Sequence, residues 1–280
     1  RAVQSVLDQT VPDFELIVVD DGSTDGGADT VAKFEDPRVR VIRLGENRGG
    51  NAARNGGIRE AKGDILCFLD SDDLYLPNKL EAVARVFDER PEVEAILDSF
   101  RSIERRDGGE KDCRNPTMDD SAAISTALFT RRLWKATPSI SVRRDAAIRA
   151  GLFDEGLRRR QDFDFLARLT QTARIVSIPE ITWLKAYAPD AITRDLDRFM
   201  PDLVAFWDRH PKLYHDPALR PGFAADITRH YANLLSRARI GLLGRDLSTV
   251  AKRIGWRRTL SSLFTGAGEL RRLRRYRRDA

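Results

Sequence analysis

Three aspartates stand within four positions of the sequence, directly after an apolar run. Asp70, Asp72 and Asp73 follow residues 65–69, a run typical of a buried strand. Carboxylates this close repel one another and raise one another's pKa values, so water, backbone donors or a cation must offset the repulsion. The D-x-D motif of Asp70 and Asp72 suits Mg²⁺ or Mn²⁺, which proteins hold with carboxylates, waters and substrate phosphates.

A second acidic pair, Asp20 and Asp21, ends the apolar run at residues 14–19. In open α/β sheets, ligands bind outside the carboxyl ends of the strands. Either cluster alone could be an ordinary turn, because Asp, Gly and Ser are common turn residues. Two acidic clusters at the ends of neighbouring strands favour a ligand site.

The loop GENRGGNAARNGG at residues 45–57 offers a different chemistry. It carries Arg48 and Arg54 among glycines and leads into the helix predicted at residues 51–63. A helix N-terminus with arginines suits an anion such as a diphosphate. The loop contains neither a G-x-G-x-x-G nor a G-x-x-x-x-G-K-[ST] motif, so by itself it could also be a simple connector.

Strand and helix patterns alternate through the first hundred residues. This alternation predicts a parallel sheet covered by helices. The predicted strands are residues 14–19, 38–44, 64–70 and 93–100, and the predicted helices are 25–36, 51–63 and 77–90. Beyond residue 101 the pattern loosens to a turn at 105–112, strands at 138–144 and 174–183, and a helix at 161–173. From about residue 195 only helical patterns remain.

The N-terminal residues already form part of a helix pattern. Val3, Val6 and Leu7 make an apolar helical stripe, whereas in an α/β sheet a strand normally precedes such a helix. The sequence therefore predicts a fragment of a longer polypeptide that lacks its first strand.

Charge is unevenly distributed along the 280 residues. Residues 257–280 hold eight arginines and two acids, so their formal charge alone exceeds the whole-chain charge of +5. Residues 1–256, the body of the chain, are therefore almost neutral. The body therefore predicts no nucleic-acid partner. No run of about 18 apolar residues and no signal-peptide core occurs, and two cysteines do not indicate a disulfide framework, so we expect a cytoplasmic location.

The basic tail has two interpretations that stay open. Residues 268–278 place leucines and a tyrosine on one helical face among arginines, which suits a peripheral contact with an anionic membrane at its inner face. The alternative is a solvated C-terminal helix.

Four blocks of the sequence resemble, in order, the motifs of glycosyltransferase family 2. The blocks are RAVQSVLDQTVPDFELIVVDDGSTDG, NRGGNAARNGGI, GDILCFLDSDDLYLPNKLE and GLFDEGLRRRQDFDFLARL. The resemblance implies a GT-A α/β fold over residues 1–190, with a mostly parallel central sheet and helices on both faces. Residues 191–280 would form a helical extension with a basic tail.

The resemblance also implies roles for individual residues. Asp21, with Asp20 beside it, matches the aspartate that contacts the nucleotide base, and Arg54 matches the arginine near the nucleotide. Asp70 and Asp72 match the D-x-D motif, in which the second aspartate usually holds the metal on the donor diphosphate.

Asp162 matches the family's catalytic base, and Gln161 replaces the glutamate that usually precedes it. Without the resemblance, Asp162 would be interpreted as an acid stabilising a helix N-terminus. The implied enzyme is an inverting glycosyltransferase that uses Mn²⁺ or Mg²⁺, a nucleoside-diphosphate sugar as donor, and a glycan or lipid-linked acceptor. A nucleotidyltransferase on a related sheet and a non-catalytic module built on a truncated transferase stay open.

Overall fold

The computed structural model describes residues 1–103, 109–187, 195–254 and 256–279. The chain groups into two compact units. The first comprises residues 1–124 and 134–189, and the second comprises residues 125–133 and 190–280. The first unit is an α/β structure and contains every strand that the structure describes, whereas the second is helical.

The helices of the first unit follow the predicted order closely. They are α1 (Ala2–Leu7), α2 (Gly27–Val31), α3 (Gly50–Glu60), α4 (Lys79–Glu89), the first turn of α5 (Ser121–Phe129), α6 (Arg144–Arg149) and α7 (Gln161–Thr172). The strands are β1 (Leu16–Asp20), β2 (Val39–Arg43), β3 (Ile65–Cys67), β4 (Leu74–Tyr75), β5 (Ala95–Ile103), β6 (Glu110–Cys113), β7 (Ile140–Arg143) and β8 (Ile175–Lys185).

The strand directions differ from the predicted, mostly parallel sheet. β1 and β2 pair in parallel as a separate two-stranded sheet. The other strands form a six-stranded sheet in the order β3-β7-β5-β8-β4, with β6 paired to β5, and there only β5 and β8 run parallel within the described residues. The apolar runs predicted burial correctly, but burial periodicity does not encode strand direction, so the reversed β7 was not foreseen.

The core of the first unit lies around β5 and β8. Residues 95–100 of β5 are all buried, and helix α4 packs against this region through Val83 and Phe87. β1 is different, since all five of its residues are only half-buried. The predicted turn at residues 105–112 lies partly outside the described residues, although β5 and β6 pair antiparallel on either side of it.

A buried ion pair joins α4 to the centre of the sheet. Lys79 at the start of α4 donates a hydrogen bond to Asp98 of β5, and both side chains are 0% exposed. The Lys79 ammonium also donates to the carbonyl of Pro138, at 3.1 Å. Burial raises the pKa of Asp98 to about 6, and the nearby Lys79 cation opposes that rise.

The second unit contains the C-terminal helices, which the sequence predicted. They are α8 (Phe199–Arg209), α9 (Lys212–His215), α10 (Arg220–Ser236), α11 (Ile240–Ile254) and α12 (Trp256–Asp279). α10 and α12 pack closely because Gly266 leaves room for the Ala224 carbonyl, which a Cβ would approach to 2.3 Å. No helix in the described part of the chain is both long and apolar enough to cross a membrane.

Candidate active site

The D-x-D loop connects β3 to β4 and separates its three acids by environment. Asp72 is exposed, Asp70 is half-buried, and Asp73 is only 2% exposed. Asp70 lies close to Arg54 of α3, whose Nη2 donates to Asp70 Oδ1 at 2.6 Å. The structure therefore brings together two of the predicted donor-site residues.

Asp73 fastens the loop to the end of β8. Its Oδ1 accepts a hydrogen bond from the backbone N–H of Ala186 at 2.8 Å, and its own N–H donates to the carbonyl of Asp70 at 3.0 Å. Burial raises the pKa of Asp73 to about 7, and the charges of Asp72 and Asp70 add to this rise. Asp73, which the sequence left without a role, shapes the loop and is too buried to bind a solvated cation.

Asp21 holds two loops together at the end of β1. Its two carboxylate oxygens accept hydrogen bonds from the backbone N–H groups of Arg48 and Gly49, at 2.8 and 2.7 Å. This arrangement gives Asp21 a loop-holding role that the sequence did not indicate, whereas its contact with a nucleotide base stays a prediction. The neighbouring Asp20 accepts from the N–H of Ser23, and hydrogen bonds from Ser23 lower the pKa of Asp20.

Gly22 allows these two loops to approach each other. It has a φ of 72°, and a Cβ at this position would lie 2.8 Å from the backbone nitrogen of Asn47. Only glycine meets both requirements without strain or displacement. The turn after β1 and the loop before α3 therefore form one compact edge.

Helix α3 contacts the loop at residues 153–157 through two buried asparagines. Asn55 exchanges two hydrogen bonds of 2.9 Å with the backbone of Phe153, and Asn51 donates to the carbonyls of Asp154 and Leu157. The guanidinium of Arg54 lies 5.6 Å from the centre of the Phe153 ring. Asn55 was not predicted as a site residue, although two asparagines four positions apart inside a helix pattern were a signal that could have been followed.

Asp162 lies in the first turn of α7, which begins after Arg160 in a left-handed conformation with a φ of 62°. The Asp162 side chain is half-buried. Among the described residues it makes no hydrogen bond or ion pair, and nothing of that kind links it to Asp21, Arg54 or Asp70. The next acid, Asp164, is instead paired with Arg168.

The carboxylates of the D-x-D loop are the candidate metal ligands. Across the part of the chain that the structure describes, no three His, Cys, Asp or Glu side chains converge to bind a metal on their own. Asp72 is exposed, and the side chain of Asp70 is 33% exposed. Two carboxylates fit a cation that keeps waters and takes its other ligands from substrate phosphates, as Mg²⁺ commonly does.

Comparison with known proteins decides the family. The sequence model described as glycosyl transferase family 2 matches residues 1–152, more than half of the chain. The chain belongs to glycosyl transferase family 2. The predicted family is thereby confirmed.

Curated relatives of this family 2 chain include bacterial glycosyltransferases. An uncharacterized glycosyltransferase of Haemophilus influenzae is 31% identical over 169 residues, which cover 60% of this chain and 56% of the relative. The UDP-Glc:alpha-D-GlcNAc-diphosphoundecaprenol beta-1,3-glucosyltransferase WfgD of Escherichia coli is 40% identical over 80 residues, 29% of this chain and 32% of the relative. The chain thus spans about half, or less, of the curated relatives it matches.

Solved structures confirm the GT-A fold class. TarS 1–349 of S. aureus in complex with UDP has a TM-score of 0.66 at 20% identity, covering 99% of this chain and 86% of that one. The mannosyltransferase PcManGT of Pyrobaculum calidifontis in complex with GDP-Man and Mn²⁺ has a TM-score of 0.56 at 18% identity, covering 96% and 81%.

Proposed function

We propose that this chain transfers a sugar, with inversion, from a nucleoside-diphosphate donor to an acceptor hydroxyl, through residues 1–190. The observation that carries the proposal is the state of Asp162. Its half-buried carboxylate sits at a helix N-terminus without a partner in the described part of the chain. Its carboxylate oxygens are therefore not taken up by other groups of the described residues and can accept a proton from an acceptor hydroxyl placed within hydrogen-bond reach.

The proposed reaction is a single displacement. The acceptor oxygen attacks the anomeric carbon from the face opposite the diphosphate, and the bond between that carbon and the diphosphate oxygen breaks. The electron pair of the broken bond leaves with the diphosphate, while the hydroxyl proton passes to Asp162. Proton transfer to a positioned base typically contributes about 10²–10⁴ in rate.

The leaving group acquires negative charge as the bond breaks. Arg54, whose side chain is 17% exposed and ion-paired with Asp70, is the cation that we assign to the diphosphate. Asp72 and the second oxygen of Asp70 would hold Mn²⁺ or Mg²⁺, which, when bound, neutralises charge on the diphosphate. Asp20 and Asp21 shape the turn that we assign to the nucleotide.

We further propose a glycan or lipid-linked acceptor, used at the cytoplasmic face of a membrane. WfgD, by its name, acts on a diphosphoundecaprenol-linked sugar. Residues 268–278 fall within α12, where Arg271 and Arg272 are exposed, and Phe264 is 83% exposed. The side chains of residues 270 and 273–280 lie outside the described part. Equal binding of the full chain and of residues 1–265 to phosphatidylglycerol vesicles would refute the membrane contact.

The proposed function is tested by binding and turnover together. We expect calorimetric titration with UDP or GDP to show binding that Mn²⁺ strengthens, and we expect a panel of nucleotide sugars to release the corresponding diphosphate. Binding without turnover of any sugar would favour the non-catalytic module, whereas nucleotide triphosphate turnover would favour the nucleotidyltransferase, which the family match already disfavours.

Asp162→Asn tests the base. We expect unchanged diphosphate binding and turnover reduced by about 10²-fold or more. The matched control is Asp145→Asn, which removes an exposed acid from the first turn of α6. If Asp162 only stabilises a helix N-terminus, the two variants will lose a similar, small amount of stability and no turnover.

A further inference from the structure

Two asparagines on α3 are buried although each occupies a helical position. Asn51 is 5% exposed and Asn55 is 2% exposed. Asparagine is a weak helix former, and a buried amide is costly unless its donors and acceptors are all satisfied. Their presence therefore requires a compensating set of hydrogen bonds.

The loop at residues 153–157 supplies those hydrogen bonds. Asn55 Nδ2 donates to the Phe153 carbonyl and to Glu155 Oε1, both at 2.9 Å, and Asn55 Oδ1 accepts from the Phe153 N–H at 2.9 Å. Asn51 Nδ2 donates to the carbonyls of Asp154 and Leu157, at 2.6 and 2.8 Å. The two side-chain amides thus satisfy backbone groups of an irregular segment, as the backbone of a neighbouring strand would do in a sheet.

Phe153 extends this contact to both halves of the candidate site. Its ring packs 4.3 Å from the ring of Phe165, one turn after Asp162 on α7. It also lies 5.2 Å from the ring of Phe68, two residues before Asp70. The segment held by the asparagines thus touches the helix that carries the proposed base and the strand end that carries the D-x-D motif.

We infer that Asn51 and Asn55 are positioning residues for sugar transfer: they hold the 153–157 segment, and through Phe153 they fix the Asp162 base relative to Arg54 and Asp70. The inference rests on the proposed function, because it concerns the geometry of that transfer. A displacement of about 1 Å between reacting groups can reduce a rate by about 100-fold. Loosening the 153–157 segment should therefore reduce turnover more than donor binding.

The test compares Asn51→Asp and Asn55→Asp with the wild-type chain. Each change keeps the shape of the side chain but removes the amide donors and places a negative charge against backbone carbonyls. Three quantities are measured: UDP release from UDP-sugars, the Kd for UDP, and backbone hydrogen exchange at residues 153–157. The matched control is Asn233→Asp, an exposed position on α10.

We expect both variants to exchange residues 153–157 about tenfold faster and to lose about 10- to 100-fold in kcat. The Kd for UDP should change less than about twofold in Asn55→Asp. Asn51→Asp should also weaken UDP binding, because Asn51 Oδ1 accepts a hydrogen bond from Arg54 Nη1 at 3.3 Å and the new charge would pair with that guanidinium. The control should change none of the three. Faster exchange with unchanged kcat overturns the inference, as does unchanged exchange. A parallel loss of kcat and UDP affinity in Asn55→Asp indicates general damage and also overturns it.

A milder change keeps the test decisive if either variant unfolds. Glu155→Gln removes a charge from one acceptor of Asn55 on a side chain that is 33% exposed. We expect hydrogen exchange at residues 153–157 to become two- to threefold faster, with a smaller loss of kcat than in the asparagine variants. An unchanged exchange rate overturns the inference. If the wild-type chain releases no nucleoside diphosphate from any nucleotide sugar of the panel, the proposed function fails. Accelerated exchange would then show that the asparagine contacts are structural only, and their role in transfer would be overturned.

Discussion

Replacing Lys79 by methionine should destabilise the first unit more than most other single substitutions. Lys79 and Asp98 are both 0% exposed, and the substitution leaves the Asp98 carboxylate buried without its cation. Removing one partner of a buried ion pair costs about 3–5 kcal/mol, because the remaining charge cannot be solvated. The Asp98 pKa, already raised to about 6, should rise further, so the variant folds only with that carboxyl protonated.

The magnitude can be measured by urea unfolding followed by circular dichroism at pH 7. We expect a loss of about 3–5 kcal/mol, which for a chain of this size corresponds to roughly 10 °C in Tm. The double variant Lys79→Met/Asp98→Leu should recover most of the loss, since well-packed apolar residues often replace a buried pair at little cost. The control is Lys62→Met, at an exposed lysine.

Two results would refute this reasoning. A loss below about 1 kcal/mol in Lys79→Met would place the pair in the range of exposed ion pairs, contrary to its burial. A double variant as unstable as the sum of the two single variants would show that Lys79 and Asp98 stabilise the protein independently.

Two further predictions concern the edge that carries the site. Asp73→Asn should gain stability relative to wild type, by up to about 4 kcal/mol, as pH rises from about 4 to 7 in metal-free buffer. The reason is that folded wild type holds a proton on Asp73 with a pKa of about 7, whereas the unfolded chain releases that proton near pH 3.8. A stability difference that urea titrations find independent of pH would contradict this. Gly22→Ala should lower the free energy of unfolding by at least about 1 kcal/mol more than Gly26→Ala. Both glycines have a positive φ, but of the two only Gly22 would bring a Cβ against the backbone of residues 46 and 47. Equal losses of stability would contradict the close approach of the two loops.

Apolar patterns predicted most elements because burial is a local property of sequence. The runs at residues 14–19 and 93–100 became β1 and β5 with small shifts of their ends. β4 was missed since only Leu74 and Tyr75 pair with β8, too short a stretch to show a period. The strand predicted at residues 138–144 became β7, but its antiparallel direction was not predicted, because that direction is set by long-range pairing with β3 and β5.

One contact of the candidate site followed from the predicted residues, and most of the others did not. Asp70 and Arg54, which are sixteen positions apart, were assigned to one donor site by resemblance, and the structure joins them at 2.6 Å. The interactions of Asn55 with Phe153 and of Asp73 with Ala186 each span about a hundred residues, and no local pattern encodes them. Side chains that hold a site together are therefore harder to find from sequence than those that act in it.

The acids of this site illustrate why a motif alone does not assign chemistry. Asp21 and Asp73 each follow an apolar strand among other aspartates, yet their oxygens accept hydrogen bonds from backbone N–H groups of distant segments. Asp72, in the same loop as Asp73, and Asp162, in the first turn of α7, have no such partner within the described residues. A carboxylate that binds a cation or takes a proton needs accessible lone pairs, so environment rather than sequence position separates the acids that build the site from those available for its chemistry.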